Sequence, residues 1–222
     1  MSEVQKHFNN IAKDYDYWKK KNWYYYKNLK DILKEFIPPK SRVLDIGCGT
    51  GDLLATLEPR YGVGTDISEE MIKIAKQKYQ RAGNLFFYKV GEEPQEKFDF
   101  IIVVDVIEHV EDLANFINQL PKFCYKQTKV IVLMANPLWE PILLLLEKLK
   151  LKMPEGPHKR ISFKVIKNIL EKNGFKIMEH NYRQIFPKYL PGISNFINKY
   201  FYEIPLVKKL GLTEYFILNY VG

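Results

Sequence analysis

The chain has 222 residues, 46% of them hydrophobic and 27% charged, which suits one α/β domain with a full core and is too short for two. Its two cysteines, Cys48 and Cys124, exclude a disulfide framework or a cysteine-rich zinc cluster and favour a reducing, cytoplasmic setting. The first residues lack the apolar region of a signal peptide and no apolar run could span a bilayer, so we expect a soluble protein.

The net charge of +8 is unevenly distributed along the chain. Residues 1–40 carry a net charge of +4, residues 41–120 carry −6 and residues 121–222 carry +10. An acidic middle segment is unsuited to a phosphate-rich ligand. The basic C-terminal third favours an anionic substrate or surface, although solvated lysine-rich helices would give the same composition.

Apolar residues at helical spacing predict a helix over residues 7–37, ended by Pro38 and Pro39. This helix would form an N-terminal cap over residues 1–40. Strands are then predicted at about 42–46, 61–65, 84–90, 98–104 and 129–135, with helices between them. The alternation predicts an α/β core over residues 41–135.

The regular alternation ends after residue 135. The apolar segment 138–151 predicts an extra helix, within an insertion at 136–160 that would cover the mouth of the site. A helix at 162–173, a late strand from Phe175 and a final strand at 214–221 would complete residues 161–222. We therefore expect one domain over residues 1–222, divided into cap, core, insertion and C-terminal part.

The segment Val43–Gly51 is the most informative in the chain. It begins as an apolar strand and ends in glycines at every second position, Gly47, Gly49 and Gly51. Glycines there allow a tight turn and let a ligand approach the bare backbone. In a dinucleotide-binding fingerprint the third glycine follows the second by three residues, whereas Gly51 follows Gly49 by two. In addition, the carboxylates of Asp45 and Asp52 would repel a phosphate group. The pattern therefore favours a cationic ligand without phosphate.

Together with Asp66 after the second apolar run, Tyr61–Ser68, this segment resembles the class I S-adenosylmethionine-dependent methyltransferases, especially the group that includes ubiquinone-biosynthesis enzymes. The resemblance covers about residues 5–183, with its specific motifs in 43–110. It implies a Rossmann-like, doubly wound, seven-stranded sheet with helices on both faces and the last strand antiparallel beside the fifth. It also implies S-adenosylmethionine as cofactor and S-adenosylhomocysteine as product.

The resemblance further implies where the cofactor would be held. The glycine loop would approach its methionine portion, Asp66 would bind the ribose hydroxyls, and Asp105 would lie beside the transferred methyl. The full set of implied cofactor residues is Tyr15, Asp45, Gly47, Cys48, Gly49, Gly51, Asp66, Ile67, Glu92 and Asp105, with Ile67 and Glu92 near the adenine. No metal ligands are predicted.

Two histidines are candidates for catalysis. His109 follows the predicted fourth strand and would contact the acceptor or act as a general base, unless it only packs against the next helix. His158 lies in the loop over the mouth, beside Lys159 and Arg160, which would hold an anionic group or else be solvated. His7 and His180 are predicted to be structural.

The predicted function is methyl transfer to a small-molecule acceptor, amphiphilic or anionic, such as a lipid-linked, isoprenoid or glycan intermediate. Segment 138–151 would then touch a membrane surface transiently, or form only a lid. The oligomeric state is not predicted. Alternatives from other classes are an NAD-dependent oxidoreductase, a protein or RNA methyltransferase, and a cofactor-binding protein without activity.

A nucleic-acid partner is not expected. The aromatic cluster Trp23–Tyr26 favours packing over base stacking, because no second basic domain accompanies it. Asn136–Trp139 is similar to the Asn-Pro-Pro-aromatic motif of methyltransferases that act on base amines. That motif follows the fourth strand, whereas Asn136–Trp139 follows the fifth predicted strand.

Overall fold

Seven strands form one mixed sheet in the computed structural model, which describes residues 1–159, 161–186, 188–200 and 204–222. The strands are β1 (Arg42–Ile46), β2 (Tyr61–Asp66), β3 (Leu85–Lys89), β4 (Phe98–Val104), β5 (Cys124–Ala135), β6 (Phe175–Arg183) and β7 (Thr213–Tyr220). The helices are α1 (Glu3–Lys21), α2 (Trp23–Phe36), α3 (Asp52–Thr56), α4 (Glu69–Lys78), α5 (Leu113–Gln119), α6 (Glu140–Lys148), α7 (Phe163–Lys172), α8 (Ile193–Tyr200) and α9 (Pro205–Lys208).

The strand order is β3-β2-β1-β4-β5-β7-β6, and β7 is antiparallel to both of its neighbours. The predicted doubly wound sheet, with an antiparallel last strand beside the fifth, is therefore confirmed. Because the chain leaves β1 toward one edge and β4 toward the other, the loops that follow these two strands diverge. The crevice between such loops is where open α/β sheets bind ligands.

The core lies on both faces of the sheet, because successive strand residues point to opposite sides. Val43 packs with residues of α2, α3 and α4, whereas its neighbour Leu44 packs with residues of α5 and α7. Ile101 and Ile102 divide between the two faces in the same way. Helices therefore cover both faces, as predicted.

Two details of the predicted elements are wrong. The helix expected over residues 7–37 is two helices, α1 and α2, because Asn22 leaves helical geometry and its side-chain amide donates to Trp18 O at 3.1 Å. Helices were expected between all of the first five strands, but residues 90–97, between β3 and β4, form a turn at Gly91 followed by irregular backbone that includes Pro94. Glycine and proline there disfavour a helix.

The helix predicted after β5 is present as α6, within the insertion. Only Leu143 of α6 is buried, so most of its apolar side chains face outward. None of the helices in the described ranges combines the length and the apolar character needed to cross a bilayer.

Candidate active site

The turn from β1 into α3 depends on its three glycines. Their φ angles are +80° for Gly47, +53° for Gly49 and +83° for Gly51. A Cβ atom on Gly47 would lie 2.2 Å from Val106 Cγ2, so no larger residue fits without displacement. The N–H of Gly47 donates to Thr65 O at 2.7 Å, which ties this turn to the end of β2. We call residues 47–51 the glycine loop.

Asp66 links the glycine loop to the next turn. Its two carboxylate oxygens accept the backbone N–H groups of Gly49 and Ser68, each at 2.8 Å, and the residue is 8% exposed. Burial raises the pKa of Asp66 to about 6, although the backbone N–H groups that it accepts lower it. Since a carboxylate oxygen can accept more than one hydrogen bond, Asp66 retains capacity for ligand hydroxyls.

Two further carboxylates lie in the crevice between β1 and β4. Asp45 is 1% exposed and its Oδ2 has no hydrogen-bond partner; burial and the neighbouring Asp66 raise its pKa to about 8. Asp105 has a φ of +52° and accepts the phenol of Tyr25 at 2.9 and 3.0 Å. Burial raises its pKa to about 7, opposed by the Tyr25 hydrogen bond and reinforced by Glu155.

Tyr15 packs from α1 against the glycine loop. A Cβ atom on Gly49 would lie 2.9 Å from the ring of Tyr15, so the phenol covers the turn closely. Burial raises the pKa of the Tyr15 phenol, and the carboxylates of Asp66, Asp105 and Asp45 add to the shift. Four of the predicted cofactor residues therefore converge around this loop.

The sequence interpretation missed a polar network that fastens α1 to the glycine loop. Lys19 donates to Thr50 Oγ1 at 2.6 Å and pairs with Asp52, while the Thr50 hydroxyl donates to Asp16 at 2.6 Å. Lys78 pairs with Asp16 at 2.7 Å and with Asp52 at 2.5 Å. Burial opposes ionisation of Asp52, but the two lysines outweigh it and lower its pKa. We call these five residues the clamp.

The other predicted cofactor residues differ in exposure. Ile67 is 39% exposed at the tip of β2, where an apolar side chain could flank a ring. Glu92 is exposed, whereas its neighbour Glu93 is buried and accepts the N–H of Gly91 at 2.6 Å. The thiol of Cys48 is buried in the core, so this residue offers the crevice mainly its backbone.

His109 lies beside the insertion loop at 154–158. Its Nδ1 is 2.8 Å from Pro157 O, and because a carbonyl only accepts, Nδ1 carries the proton. Burial lowers the pKa of His109 despite this hydrogen bond, so the ring is neutral and its Nε2 has a free lone pair. The ring of Phe8 packs edge-on at a centroid distance of 5.3 Å.

His158 is held differently. Its Nδ1 lies 2.9 Å from Gly156 O and its Nε2 lies 2.8 Å from Glu140 Oε1. Partial burial lowers its pKa, but these two acceptors outweigh the effect and the net shift is upward. Because Gly156 O and the Glu140 carboxylate only accept hydrogen bonds, this position favours the protonated ring of His158. Lys159 donates to Glu111 O at 3.3 Å, and Arg160 lies outside the described residues.

The two histidines predicted to be structural occupy different places. His7 also reaches the insertion loop, with Nε2 3.0 Å from Pro154 O. His7 and His109 therefore both contact the loop at 154–158, to which His158 itself belongs. His180 stacks on Phe163 at 3.9 Å and pairs with Glu214, on the face of the sheet that α7 covers.

The site is a crevice that combines a bare-backbone turn with three closely spaced carboxyl groups, whose raised pKa values mean that a bound cation would stabilise their ionised forms. Such a crevice suits a ligand that carries positive charge, hydroxyl groups and no phosphate. The groups of three or more histidine, cysteine and carboxylate side chains needed for a metal ion are absent from the described residues. The side chain of Asn136 has a structural role here, since its amide donates to Lys209 O and Gly211 O and its oxygen accepts the N–H of Leu138.

Residues 17–180 match the methyltransferase domain family, which is about three quarters of the chain. The chain belongs to this family. A ubiquinone biosynthesis O-methyltransferase from Bartonella quintana is 31% identical over 152 residues, 62% of this chain and 61% of that protein. An uncharacterized protein from Methanocaldococcus jannaschii is 34% identical over 128 residues, 56% of this chain and 59% of that protein. The chain thus spans about three fifths of the curated relatives it matches.

Solved structures share the fold at low sequence identity. A Thermotoga maritima methyltransferase described as a possible histamine N-methyltransferase is 19% identical, with a TM-score of 0.70 over 99% of this chain and all of that one. Magnesium protoporphyrin IX methyltransferase from Synechocystis, with S-adenosylhomocysteine bound, is 20% identical, with a TM-score of 0.65 over 97% of each chain.

The resemblance to class I S-adenosylmethionine-dependent methyltransferases is confirmed, and with it the enzyme class and the cofactor. The residues present fit this cofactor. Asp66 would hold the ribose hydroxyls, the glycine loop would face the methionine portion, and the unpartnered Oδ2 of Asp45 would receive the ammonium. When bound, the sulfonium supplies an activated methyl group. The chain supplies positioning and a surrounding negative field.

Proposed function

We propose that this methyltransferase acts on a small amphiphilic acceptor whose apolar part lies along α6. The exposed apolar side chains of α6 and its flanks carry the proposal, because their exposed fractions are 45–66%. They are Leu138, Ile142, Leu144, Leu145, Leu149 and Leu151. Large apolar surfaces of this kind mark interaction sites.

The position of α6 supports its contact with the acceptor. Glu140 begins α6 and pairs with His158, and the ring of His158 lies 6.2 Å from that of His109. His109 in turn follows β4, four residues after Asp105. A tail on α6 would therefore lead to the acceptor side of the crevice, where His109 would contact the reacting group. His158 would hold the insertion loop closed over it through its contact with Glu140.

A hydroxyl group is the acceptor that we propose. Several sequence relatives that support it are named ubiquinone biosynthesis O-methyltransferases. The carboxylates of the crevice disfavour an anionic group at the reacting end. An anionic group farther along the acceptor would meet Lys148 and Lys150, at the exposed end of α6.

Labelled methyl transfer tests the acceptor class. We expect the enzyme to methylate dodecyl 3,4-dihydroxybenzoate with a kcat/KM at least tenfold above that for 3,4-dihydroxybenzoate, since each buried methylene contributes about 0.8 kcal/mol. Leu145→Glu should reduce this preference, whereas Glu171→Gln on the distant α7 should not. Equal rates for the two catechols, or label found only on protein or RNA, would contradict the proposal.

The same surface supports transient contact with a membrane. Lys148 and Lys150 flank the apolar residues of α6, and lysines near an anionic bilayer contribute about 1 kcal/mol each. Co-sedimentation should be stronger with phosphatidylglycerol vesicles than with phosphatidylcholine vesicles. The Lys148→Glu, Lys150→Glu double variant should lose the difference. No binding to either vesicle would leave α6 as a lid alone.

A further inference from the structure

Glu108 is a half-buried residue whose carboxyl group no role described above uses. It lies in the short 3₁₀ turn after β4, between Asp105 and His109. Its Oε2 atom is fully covered and has no hydrogen-bond partner. A covered carboxyl oxygen without a partner costs free energy, and a catalytic role is one of the recognised reasons for such a group in a native structure.

The groups around Glu108 come from three parts of the fold. Asp105 lies on its own turn, Tyr25 comes from α2, and Glu155 and Lys152 come from the insertion. Tyr25 already donates to Asp105, and Lys152 pairs with Glu155. Tyr25 and Lys152 are therefore engaged with carboxylates other than Glu108.

His109 is the next titratable residue along the chain. Its Nδ1 proton is committed to Pro157 O, so it offers Glu108 no charge in its neutral form. The backbone of Glu108 is fixed as well, because its carbonyl accepts the N–H of Lys159 at 2.7 Å. The loop thus fixes the backbone of Glu108 and leaves Oε2 without a donor of its own.

We propose that Glu108 is the general base that takes the proton from a hydroxyl acceptor as it is methylated. This rests on the proposed hydroxyl acceptor. The acceptor oxygen gains the methyl group, the sulfur keeps the electron pair of the broken carbon–sulfur bond, and the proton moves from the acceptor oxygen to the Glu108 carboxylate. His109 then contacts the acceptor without taking its proton.

The electrostatics of the crevice are consistent with this assignment. Burial, followed by the charges of Asp105 and Glu155, raises the pKa of Glu108 well above its ordinary value. A raised pKa makes a carboxylate a stronger base. A cation bound in the crevice stabilises the ionised form, so Glu108 should lose a proton when the charged cofactor binds and hold one more readily after the sulfur becomes neutral.

Calorimetry tests this coupling without any acceptor. S-adenosylmethionine is titrated at pH 7 in two buffers of different ionisation enthalpy, which reports the protons released on binding. Glu108→Gln should release fewer protons than the unmodified enzyme, whereas Glu111→Gln, an exposed glutamate on the same loop, should match it. Equal release from all three proteins would overturn the proposal.

Turnover of dodecyl 3,4-dihydroxybenzoate tests the catalytic role. Glu108→Gln should lower kcat about 10²- to 10⁴-fold, with KM and S-adenosylhomocysteine affinity within threefold. The acid limb of the pH profile should disappear in Glu108→Gln and remain in His109→Asn. The reverse result would assign the base to His109 and refute the proposal. If the unmodified enzyme does not methylate this catechol, the acceptor proposal fails, and the calorimetry still decides whether Glu108 is coupled to the cofactor.

Discussion

The glycine loop gives a graded prediction about three glycine-to-alanine variants. Gly47 combines a φ of +80° with a Cβ position 2.2 Å from Val106 Cγ2. Gly91 has a φ of +93° but open space around its Cβ position, and Gly83 has open space and no positive φ. The three sites therefore separate the backbone cost of an alanine from its steric cost.

The expected magnitudes follow from these two costs. A left-handed backbone costs alanine about 1–2 kcal/mol, and overpacking adds about 1–3 kcal/mol. Gly47→Ala should therefore lower the free energy of unfolding by about 2–5 kcal/mol, or Tm by roughly 5–15 °C. Gly91→Ala should lose only about 1–2 kcal/mol, and Gly83→Ala should stay within about 0.5 kcal/mol of the parent.

Urea denaturation of the three variants provides the measurement. Adding Val106→Ala to Gly47→Ala removes the clashing methyl groups, so the pair should show a favourable coupling energy of about 1–3 kcal/mol. A Gly47→Ala variant as stable as Gly83→Ala, or one that Val106→Ala does not rescue at all, would refute the reasoning.

Three further predictions concern the crevice and its supports. Because the pKa of Asp45 is about 8 in the folded protein and about 3.9 in the unfolded chain, stability should fall as pH rises between these values. In urea denaturation, the stability of Asp45→Asn relative to the parent should therefore increase from pH 5 to pH 8.5. The variant should also bind S-adenosylmethionine more weakly. A difference in unfolding free energy that stays constant over this pH range would contradict the prediction. Lys19→Met should open the clamp and speed amide hydrogen exchange in α1, and Lys20→Met, an exposed control, should not. The pKa of His158 is raised, so its pairing with Glu140 should stabilise the protein below about pH 6.5 and less as pH rises. Glu140→Gln should accordingly lower Tm more at pH 6 than at pH 9, and an equal loss at both would count against the pairing.

The sheet and the cofactor loop could be predicted from the sequence because their signals are local. An apolar run followed by Asp45 and three spaced glycines predicts a strand that ends in a tight turn. Asp66, at the end of the next apolar run, predicts a second strand beside the first. The break at Asn22 was missed because the apolar spacing continues across it. The turn and irregular backbone at residues 90–97 were missed because a regular α/β alternation was assumed there.

The clamp and the surroundings of Glu108 could not be predicted in the same way. Lys19 and Thr50 are 31 residues apart, and Glu155 reaches the turn after β4 only because the insertion folds back. Contacts of this kind are set by tertiary packing and leave no periodic signal. Glu108 did have one sequence signal, its position directly before His109.

The central claim is that Asp66 and the glycine loop hold S-adenosylmethionine by its ribose and methionine portions. Calorimetry at pH 8 with S-adenosylmethionine, S-adenosylhomocysteine and NAD tests it most directly. We predict binding of the first two and not of NAD. Asp66→Asn should weaken the binding of both S-adenosylmethionine and S-adenosylhomocysteine by the same factor of at least ten, since charge-assisted hydrogen bonds to the shared ribose are each worth about 1.5–3 kcal/mol. The control Asp14→Asn, at an exposed position of α1, should leave both affinities unchanged. Binding of NAD in place of S-adenosylmethionine, or full affinity in Asp66→Asn, would contradict the claim.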